Sequence, residues 1–239
     1  MILMARVRPQ KSPVRTRGAE LPVISDGNVA DDALVVARPI GPRAEAINAL
    51  RTHVVAQHLN KGRRALAVCA ASADVGCTFV AVNLAVSLSQ IGLNTLLIDG
   101  DMRRPGVQQL IPIPLTGAGV GLAECLAGEE DGFARYVQTG AYEHLSVMYA
   151  GDPPANPQEL IGGERFRALI ESCLRDYDIT VIDTPPANSY ADARRISSVV
   201  AYSLVVARRN VSLVEDVKTL VGELEIDHAQ VIGTVLNEG

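Results

Sequence analysis

Short apolar runs alternate with helix-like stretches along most of this chain, and the alternation limits the folds it can adopt. TLLI at residues 95–98 and ITVI at residues 179–182 are almost continuously apolar or β-branched. Such runs are typical of strands that are buried on both faces. We therefore predict an α/β fold with a doubly wound, mainly parallel sheet flanked by helices. Ligands in such folds bind at the carboxyl ends of the strands.

Apolar periodicity gives the expected order of the elements. Hydrophobic residues make up 48% of the chain and aromatic residues only 4%, so the core is expected to consist of Val, Leu, Ile and Ala. Strands are predicted over residues 64–71, 94–101, 144–151, 178–185, 203–209 and 230–237. Helices are predicted over residues 42–59, 77–92, 120–128, 163–177 and 213–225.

The N-terminal segment differs from the rest in charge. Residues 1–38 are expected to form a tail or linker, and residues 39–239 to form one domain. Residues 1–18 contain basic side chains, prolines and no acidic residue. Such a segment is typical of a disordered, solvated tail. The alternative is contact with an anionic membrane surface, worth about 1 kcal/mol per basic residue.

Charge, cysteines and hydropathy restrict the class of protein further. The formal net charge of −5 gives no general attraction to nucleic acid, so no nucleic-acid partner is expected. The four cysteines show no metal-ligand spacing, which indicates reduced thiols in a cytoplasmic protein. No apolar run approaches the ~20 residues that a membrane-spanning helix needs. The opening MILM is too short for the core of a signal peptide.

The loop after the first predicted strand is the most informative segment. Residues 71–78 read ASADVGCT where a phosphate-binding loop reads G-x-x-x-x-G-K-[ST]. Gly76 and Thr78 match this signature, whereas Ala71 and Cys77 do not. Gly76 would let the backbone approach a phosphate, towards which the next helix would point its positive end. The Thr78 hydroxyl would suit Mg²⁺.

Aspartates lie at the ends of two other predicted strands. Asp99 and Asp101 are two residues apart, so in an extended strand their carboxylates would face the same side and both would be able to hold Mg²⁺. Asp183 ends the run ITVID, where a Walker B acid polarises a metal ion or water. The alternative is that each aspartate caps a helix or lies in a turn.

Taken in order, these motifs resemble the cytoplasmic domain of bacterial tyrosine kinases, which are P-loop proteins of capsule and exopolysaccharide assembly within the ParA/MinD-like group. The resemblance extends from about residue 42 to the end of the chain. It rests on EAINALRT (45–52), VNLAVSLSQIGLNTLLIDGDMRRP (82–105), GLAECLAG (121–128), GDPPANPQELI (151–161), YDITVIDTPPANSYADA (177–193) and GTVLN (233–237).

The resemblance implies a role for each matching residue. In the family, the loop holds the phosphates of Mg-ATP or Mg-ADP, and the Walker A′ and Walker B acids organise Mg²⁺ and assist the attacking tyrosine. A residue at the position of Asn237 lies beside the adenine. The implied catalytic residues are Asp99, Asp101 and Asp183; the implied nucleotide-binding residues are Gly76, Cys77, Thr78 and Asn237; the implied Mg²⁺ ligands are Thr78, Asp99 and Asp183.

The resemblance also implies partners. The family acts with a membrane chain-length regulator, a Wzz-like polysaccharide co-polymerase whose cytoplasmic tail activates the kinase. It phosphorylates a tyrosine-rich C-terminal tail, usually that of a neighbouring subunit. Glu45 and Arg51 match the motif E-x-x-R-x-x-R through which family members form homo-oligomers. The implied location is the cytoplasm, peripheral to the inner membrane through the partner or the basic N-terminal segment.

Several positions depart from the family pattern. Cys77 replaces the lysine that neutralises phosphate charge. Asp74 places an acid inside the loop, and Ala71 is expected to restrict the turn that a first glycine permits. Asn48 stands where the oligomerisation motif has an arginine. The six tyrosines are scattered and none follows the last predicted strand, so the phosphorylated tail is expected to be missing.

Three functions stay open on this reasoning. The first is a regulator of polysaccharide synthesis and export with weak or no kinase activity, because a thiol lacks the charge of lysine. The second is an active tyrosine kinase in which another group supplies that charge, and the retained aspartates favour it. The third is a MinD/ParA-like positioning ATPase, against which DMRRP and PPANPQEL argue. A nucleophilic Cys77 thiol, with a pKa lowered at a helix N-terminus, is a further alternative.

Overall fold

The computed structural model describes residues 41–112, 120–128 and 132–238, so the predicted tail of residues 1–38 lies outside the described residues. Seven strands are present: β1 (Ala65–Ala70), β2 (Thr95–Asp99), β3 (Gln138–Tyr142), β4 (Leu145–Met148), β5 (Ile179–Asp183), β6 (Tyr202–Arg208) and β7 (Gln230–Asn237). They form one sheet in the order β3-β4-β2-β5-β1-β6-β7. Every neighbouring pair is parallel except β3 and β4. The predicted mainly parallel, doubly wound α/β fold is confirmed.

Helices connect and cover these strands. They are α1 (Pro42–Gln57), α2 (Cys77–Ser89), α3 (Val107–Leu110), α4 (Leu122–Ala127), α5 (Pro157–Gly162), α6 (Glu164–Asp176), α7 (Asp192–Val200) and α8 (Val214–Ile226). Each helix and strand expected from the sequence is present, with ends that differ by a few residues. The sequence reasoning missed α3, α5, α7 and the antiparallel edge strand β3.

The sheet is buried on both faces because successive side chains of a strand point to opposite sides. Along β1, Leu66 and Val68 belong to the apolar layer under α1 and α2. Ala67 and Cys69 belong to the layer that also contains the buried side chains of α6, α7 and α8. This double burial explains why the central strands read as continuous apolar runs.

The carboxyl ends of three central strands meet at one edge of the sheet. Asp99 at the end of β2 is the register partner of Asp183 at the end of β5, which in turn pairs with Val68 of β1. The Gly100 N–H donates to the Asp183 carbonyl at 2.9 Å. A Cβ at Gly100 would lie 2.5 Å from that oxygen, so the close approach requires glycine.

Among the described residues, none of the helices combines the length and the apolar character that crossing a membrane requires.

Candidate functional site

A cavity of about 400 Å³ lies at this carboxyl edge. Its walls come from the loop after β1, the start of α2 and the loops after β2 and β5. The lining residues are Ala70, residues 72–78, Asp101, Arg104, Pro105, Gln109, Thr184 and Pro186. Of the residues expected from the sequence, the structure brings Gly76, Cys77, Thr78 and Asp101 together on its wall. The cavity is therefore where the strand-end rule places it.

The loop after β1 depends on one glycine. Gly76 has φ 88°, in the left-handed region, and a Cβ there would overlap with the Asn237 amide nitrogen. Asp74 has φ 59°, a conformation that Asp tolerates better than most residues, and its side chain is exposed. Ala71 has no positive φ. The expectation that Ala71 restricts the turn is therefore wrong, since the turn does not require a glycine there.

Two side chains, one from β7 and one from β6, donate hydrogen bonds to backbone carbonyls of this loop. Asn237 on β7 donates its Nδ2–H to the Val75 carbonyl at 2.9 Å. Arg208 on β6 donates from Nη1 to the Asp74 carbonyl at 3.0 Å. Asn237 is not part of the cavity wall, and its role beside an adenine stays a prediction.

Cys77 is the first residue of α2, and its thiol faces the interior. The Sγ donates to the Val68 carbonyl at 3.1 Å. Burial, and next the charge of Asp183, raises the pKa of the Cys77 thiol well above its ordinary value. The alternative of a nucleophilic thiolate with a lowered pKa is therefore wrong. At the position of the family's lysine, the chain offers a neutral thiol that is hydrogen-bonded to a strand carbonyl.

Asp183 is fully buried next to Cys77 and Thr78. Neither carboxylate oxygen accepts a hydrogen bond within the described chain, although Thr78 and Cys77 lie close enough to offset part of the burial effect. Burial, and next the charge of Asp99, raises the pKa of Asp183 to about 8. Buried acceptors without donors are what a hydrated cation or ordered water would satisfy.

Asp99 is also buried, but its oxygens have partners. Its Oδ1 accepts the Asp101 N–H at 3.2 Å, and its Oδ2 accepts the Gly106 and Val107 N–H groups at 3.1 and 3.0 Å. Burial is the main cause that raises the pKa of Asp99 to about 7. Asp99 thus fixes the path of the loop after β2.

Asp101 reaches the cavity by a different route from the one expected. β2 ends at Asp99, so Asp101 lies outside the strand and the argument that both carboxylates face one side of a strand is wrong. The loop instead turns, and Asp101 Oδ1 accepts the N–H groups of Arg103 and Arg104 at 3.1 and 2.9 Å. This turn places Asp101 on the cavity wall.

The predicted Mg²⁺ ligands fit the ion unequally. In the described part of the chain, no three His, Cys, Asp or Glu side chains form a ready-made metal cluster. Mg²⁺ commonly takes one or two protein ligands together with phosphate oxygens and water. The Thr78 hydroxyl on the wall and the unpaired oxygens of Asp183 suit that pattern, whereas Asp99 is engaged by backbone N–H groups.

The sequence reasoning assigned no role to the two arginines of DMRRP. Arg103 donates from Nε to Asp192 Oδ2 at 2.7 Å, and its guanidinium lies 4.2 Å from the centre of the Tyr190 ring. This pair ties the loop after β2 to α7. Arg104 lines the cavity. Two consecutive arginines directly after two strand-end acids were the available signal.

The residues of the oligomerisation motif lie on α1, away from the cavity. Glu45 is exposed. Arg51 donates from Nη1 to the Ser87 carbonyl at 3.3 Å and to its Oγ at 3.1 Å, and Ser87 donates to Asn48 Oδ1 at 3.2 Å. Arg51 is thus bound to α2 of its own chain, and the role of Glu45 and Arg51 in assembly stays a prediction.

No protein-family model matches the chain. Among curated proteins, tyrosine-protein kinase wzc of Salmonella typhi is 34% identical over 204 residues, which cover 85% of this chain and 28% of that protein. The putative tyrosine-protein kinase CapB of Staphylococcus aureus is 28% identical over 201 residues, which cover 84% of this chain and 86% of CapB. The chain therefore spans under a third of the length of wzc but most of CapB.

Solved structures agree with these relatives. The kinase domain of Escherichia coli tyrosine kinase ETK superposes with a TM-score of 0.78 at 30% identity, covering 94% of this chain and 82% of that domain. The septum site-determining protein MinD of Pyrococcus horikoshii, complexed with Mg-ADP, gives a TM-score of 0.63 at 19% identity over 72% of this chain and 69% of its own. The second likeness shows the fold alone.

Proposed function

The chain belongs to the family of bacterial tyrosine kinases within the P-loop, ParA/MinD-like group, and on that basis we propose that it is a regulator of capsule or exopolysaccharide synthesis and export with weak or no kinase activity. It acts in the cytosol as the partner of a membrane chain-length regulator, whose cytoplasmic tail it binds. Residues 39–239 form the kinase-like domain that carries this role.

The observation that carries the proposal is that the Cys77 thiol is neutral. A neutral thiol bonded to the Val68 carbonyl offers no positive charge to a phosphate. The charge-assisted hydrogen bond that a lysine would make is worth about 1.5–3 kcal/mol in a bound complex. Phosphoryl transfer depends on neutralising the charge of the transferred group, so the loss in the transition state is expected to be larger.

The rest of the cavity supports weak binding of Mg-ATP or Mg-ADP. Gly76 and the N-terminus of α2 provide the backbone of a phosphate site. Thr78 and Asp183 would hold Mg²⁺, and the ion would neutralise phosphate charge when bound. Nucleotide occupancy, rather than turnover, would then signal to the membrane partner.

A second candidate is an active tyrosine kinase. Three acids favour it, because Asp99 and Asp183 lie at the ends of two adjacent strands and Asp101 lies on the cavity wall in the loop after β2. In this case another cation supplies the charge that Cys77 lacks, and the acids organise the metal and the attacking hydroxyl.

Phosphorylation of a Glu–Tyr copolymer with Mg-ATP separates the two candidates. We expect no phosphotyrosine above background with the native chain, and formation of phosphotyrosine with Cys77→Lys. Asp183→Asn in the Cys77→Lys background should abolish it, which controls for a contaminating kinase. Equal rates for the native chain and Cys77→Lys would contradict the proposal in favour of the active kinase.

A complementation assay tests the regulatory role. In cells whose own copy is deleted, Cys77→Ala should restore polysaccharide production as well as the native chain does, because neither thiol nor methyl carries charge. A failure of both to restore production would remove the link to polysaccharide assembly.

A further inference from the structure

The loop after β2 packs directly on the start of α2. A Cβ at Gly106 would lie 3.1 Å from both Oγ1 and Cγ2 of Thr78. Asp99 holds this backbone in place by accepting the Gly106 and Val107 N–H groups. The residues just before Gly106 are therefore held beside the phosphate-binding loop.

Two arginines leave this loop in different directions. Asp101 accepts the backbone N–H groups of both Arg103 and Arg104, which fixes where each side chain starts. Arg103 is engaged away from the cavity by Asp192 and by the ring of Tyr190. Arg104 is exposed and lines the cavity.

No other cation in the described part of the chain is placed to serve this cavity, since Arg104 is the only Lys or Arg on its wall. Arg208 lies beside the loop but donates to the Asp74 carbonyl. Arg63 lies over the Tyr202 ring at 4.4 Å and Arg64 donates to the Leu174 carbonyl, both before the start of β1 and so at the opposite edge of the sheet. Within the same described residues, the Arg104 guanidinium has neither an ion pair nor a hydrogen bond.

From this placement we propose that Arg104 supplies positive charge to phosphate groups bound in the cavity. This charge retains affinity for a nucleotide, but it does not lie at the start of α2, where the family's lysine neutralises the transferred phosphoryl group. The inference rests on the proposal that the cavity binds a nucleotide. A guanidinium presents a planar set of donors that binds phosphate oxygens in pairs. The Arg104 guanidinium would approach a bound phosphate from the loop after β2, whereas the side chain of a lysine at position 77 would approach it from the start of α2.

Calorimetric titration with Mg-ADP tests the assignment. We expect Arg104→Gln to weaken binding by about 10- to 100-fold, the loss of one charge-assisted contact. Arg104→Lys should retain part of the affinity, because it keeps the charge and loses the fork. Arg175→Gln is the matched control, since it removes an exposed arginine in the last turn of α6. Its affinity should equal that of the native chain.

Two further measurements exclude a merely structural effect. Adenosine, which has no phosphate, should bind the native chain and Arg104→Gln equally. The double variant Cys77→Lys/Arg104→Gln should recover affinity for Mg-ADP, because the charge returns from the other wall.

The outcomes distinguish this inference from the proposed function. If native and Arg104→Gln chains bind Mg-ADP equally, Arg104 is not the phosphate cation, although the cavity still binds nucleotide. If only Cys77→Lys variants bind, the Arg104 assignment and signalling by nucleotide occupancy both fail, while a regulator with a disabled phosphate loop stands. If no variant binds, both the assignment and the nucleotide site are overturned.

Discussion

At the scale of single residues, Asp183 brings a carboxylate into the interior, and neither of its oxygens accepts a hydrogen bond from the residues that the structure describes. Its pKa is raised from 3.8 to about 8, chiefly by burial. The folded state therefore favours the protonated form. The stability that Asp183 contributes is fully present below pH 3.8 and is lost as the pH rises through about 8. Above that pH, the native chain holds an unsatisfied buried charge.

We expect Asp183→Asn to raise the free energy of unfolding near pH 9 by about 1–3 kcal/mol, the scale of an unsatisfied buried polar group. At pH 4 the gain should vanish, because the native carboxyl is then neutral in the fold. Urea unfolding of both chains at both pH values measures the difference. A gain of the same size at pH 4 would contradict this reasoning.

The two chains must be compared at the same pH, because His58 gives a pH dependence of stability opposite to that of Asp183. Burial lowers the pKa of His58 from 6.5 to about 4, while its Nε2 lies 3.0 Å from the Ala65 carbonyl oxygen. Its contribution to stability is present above pH 6.5 and is lost as the pH falls through about 4. Both chains contain His58, so its pH dependence cancels in the difference between their free energies of unfolding.

At the scale of elements, Glu124 joins two segments that the resemblance singled out separately. Its Oε2 accepts the Gly121 N–H at 2.7 Å, and its Oε1 accepts the Asp152 N–H at 2.9 Å. Gly121 lies against the backbone of residues 149–151, where a Cβ would overlap with the Tyr149 carbonyl. One carboxylate therefore caps α4 and fixes the chain that leaves β4.

Replacing Glu124 tests that junction. We expect Glu124→Ala to lower the free energy of unfolding by about 2 kcal/mol, because it leaves two N–H groups without their charged acceptor. Glu124→Gln keeps one acceptor oxygen and should lie between Ala and the native residue. Glu171→Ala, at an exposed position of α6, is the control, with an expected change within about 0.5 kcal/mol. Urea unfolding at pH 7 measures all three, and equal losses at Glu124 and Glu171 would refute the role of the junction.

The elements that sequence reasoning found are those with a strong apolar signal, such as β2 and β5. It missed α7, although Ala193, Ile196 and Val200 are buried at helical spacing, because its nine residues are fewer than the roughly 11–18 over which apolar periodicity is judged. It missed β3 because this edge strand is only half-buried, contains Gly140 at φ 86° and breaks its register with β4. Short edge elements depend on tertiary contacts that periodicity does not contain.

The position of the candidate site could be predicted from the sequence, but the orientation of its side chains could not. The strand-end rule brought the acids to one edge of the sheet, as the Asp99–Asp183 register confirms. It had no means of giving the orientation of single side chains. Asp99 turns its oxygens to backbone N–H groups, the Cys77 thiol turns to a strand carbonyl, and Arg103 and Arg104 diverge. Each orientation is set by loop backbone and by residues distant in sequence.

At the scale of the whole molecule, the residues that the structure describes cover both faces of the sheet. α1 completes one layer, since its Ile47 and Val54 are buried in the same cluster as the α2 side chains. α6, α7 and α8 contribute buried side chains to the other layer. The strands that link the two layers lie in between. One domain over residues 39–239 stays a prediction.

Deletion of residues 1–38 tests the domain boundary. We expect one cooperative thermal transition, with a free energy of unfolding within about 0.5 kcal/mol of the full chain, because every residue of the two apolar layers that the structure describes is kept. Deletion of residues 1–57, which also removes α1, is the matched control. It uncovers the buried face of α2, and it should lower the free energy of unfolding several times more than the shorter deletion does. Sedimentation with anionic vesicles then separates the two interpretations of the basic segment, since a membrane contact predicts salt-sensitive binding that the shorter deletion abolishes. A large loss of stability on removing residues 1–38 would mean that the domain begins earlier than the sequence indicates.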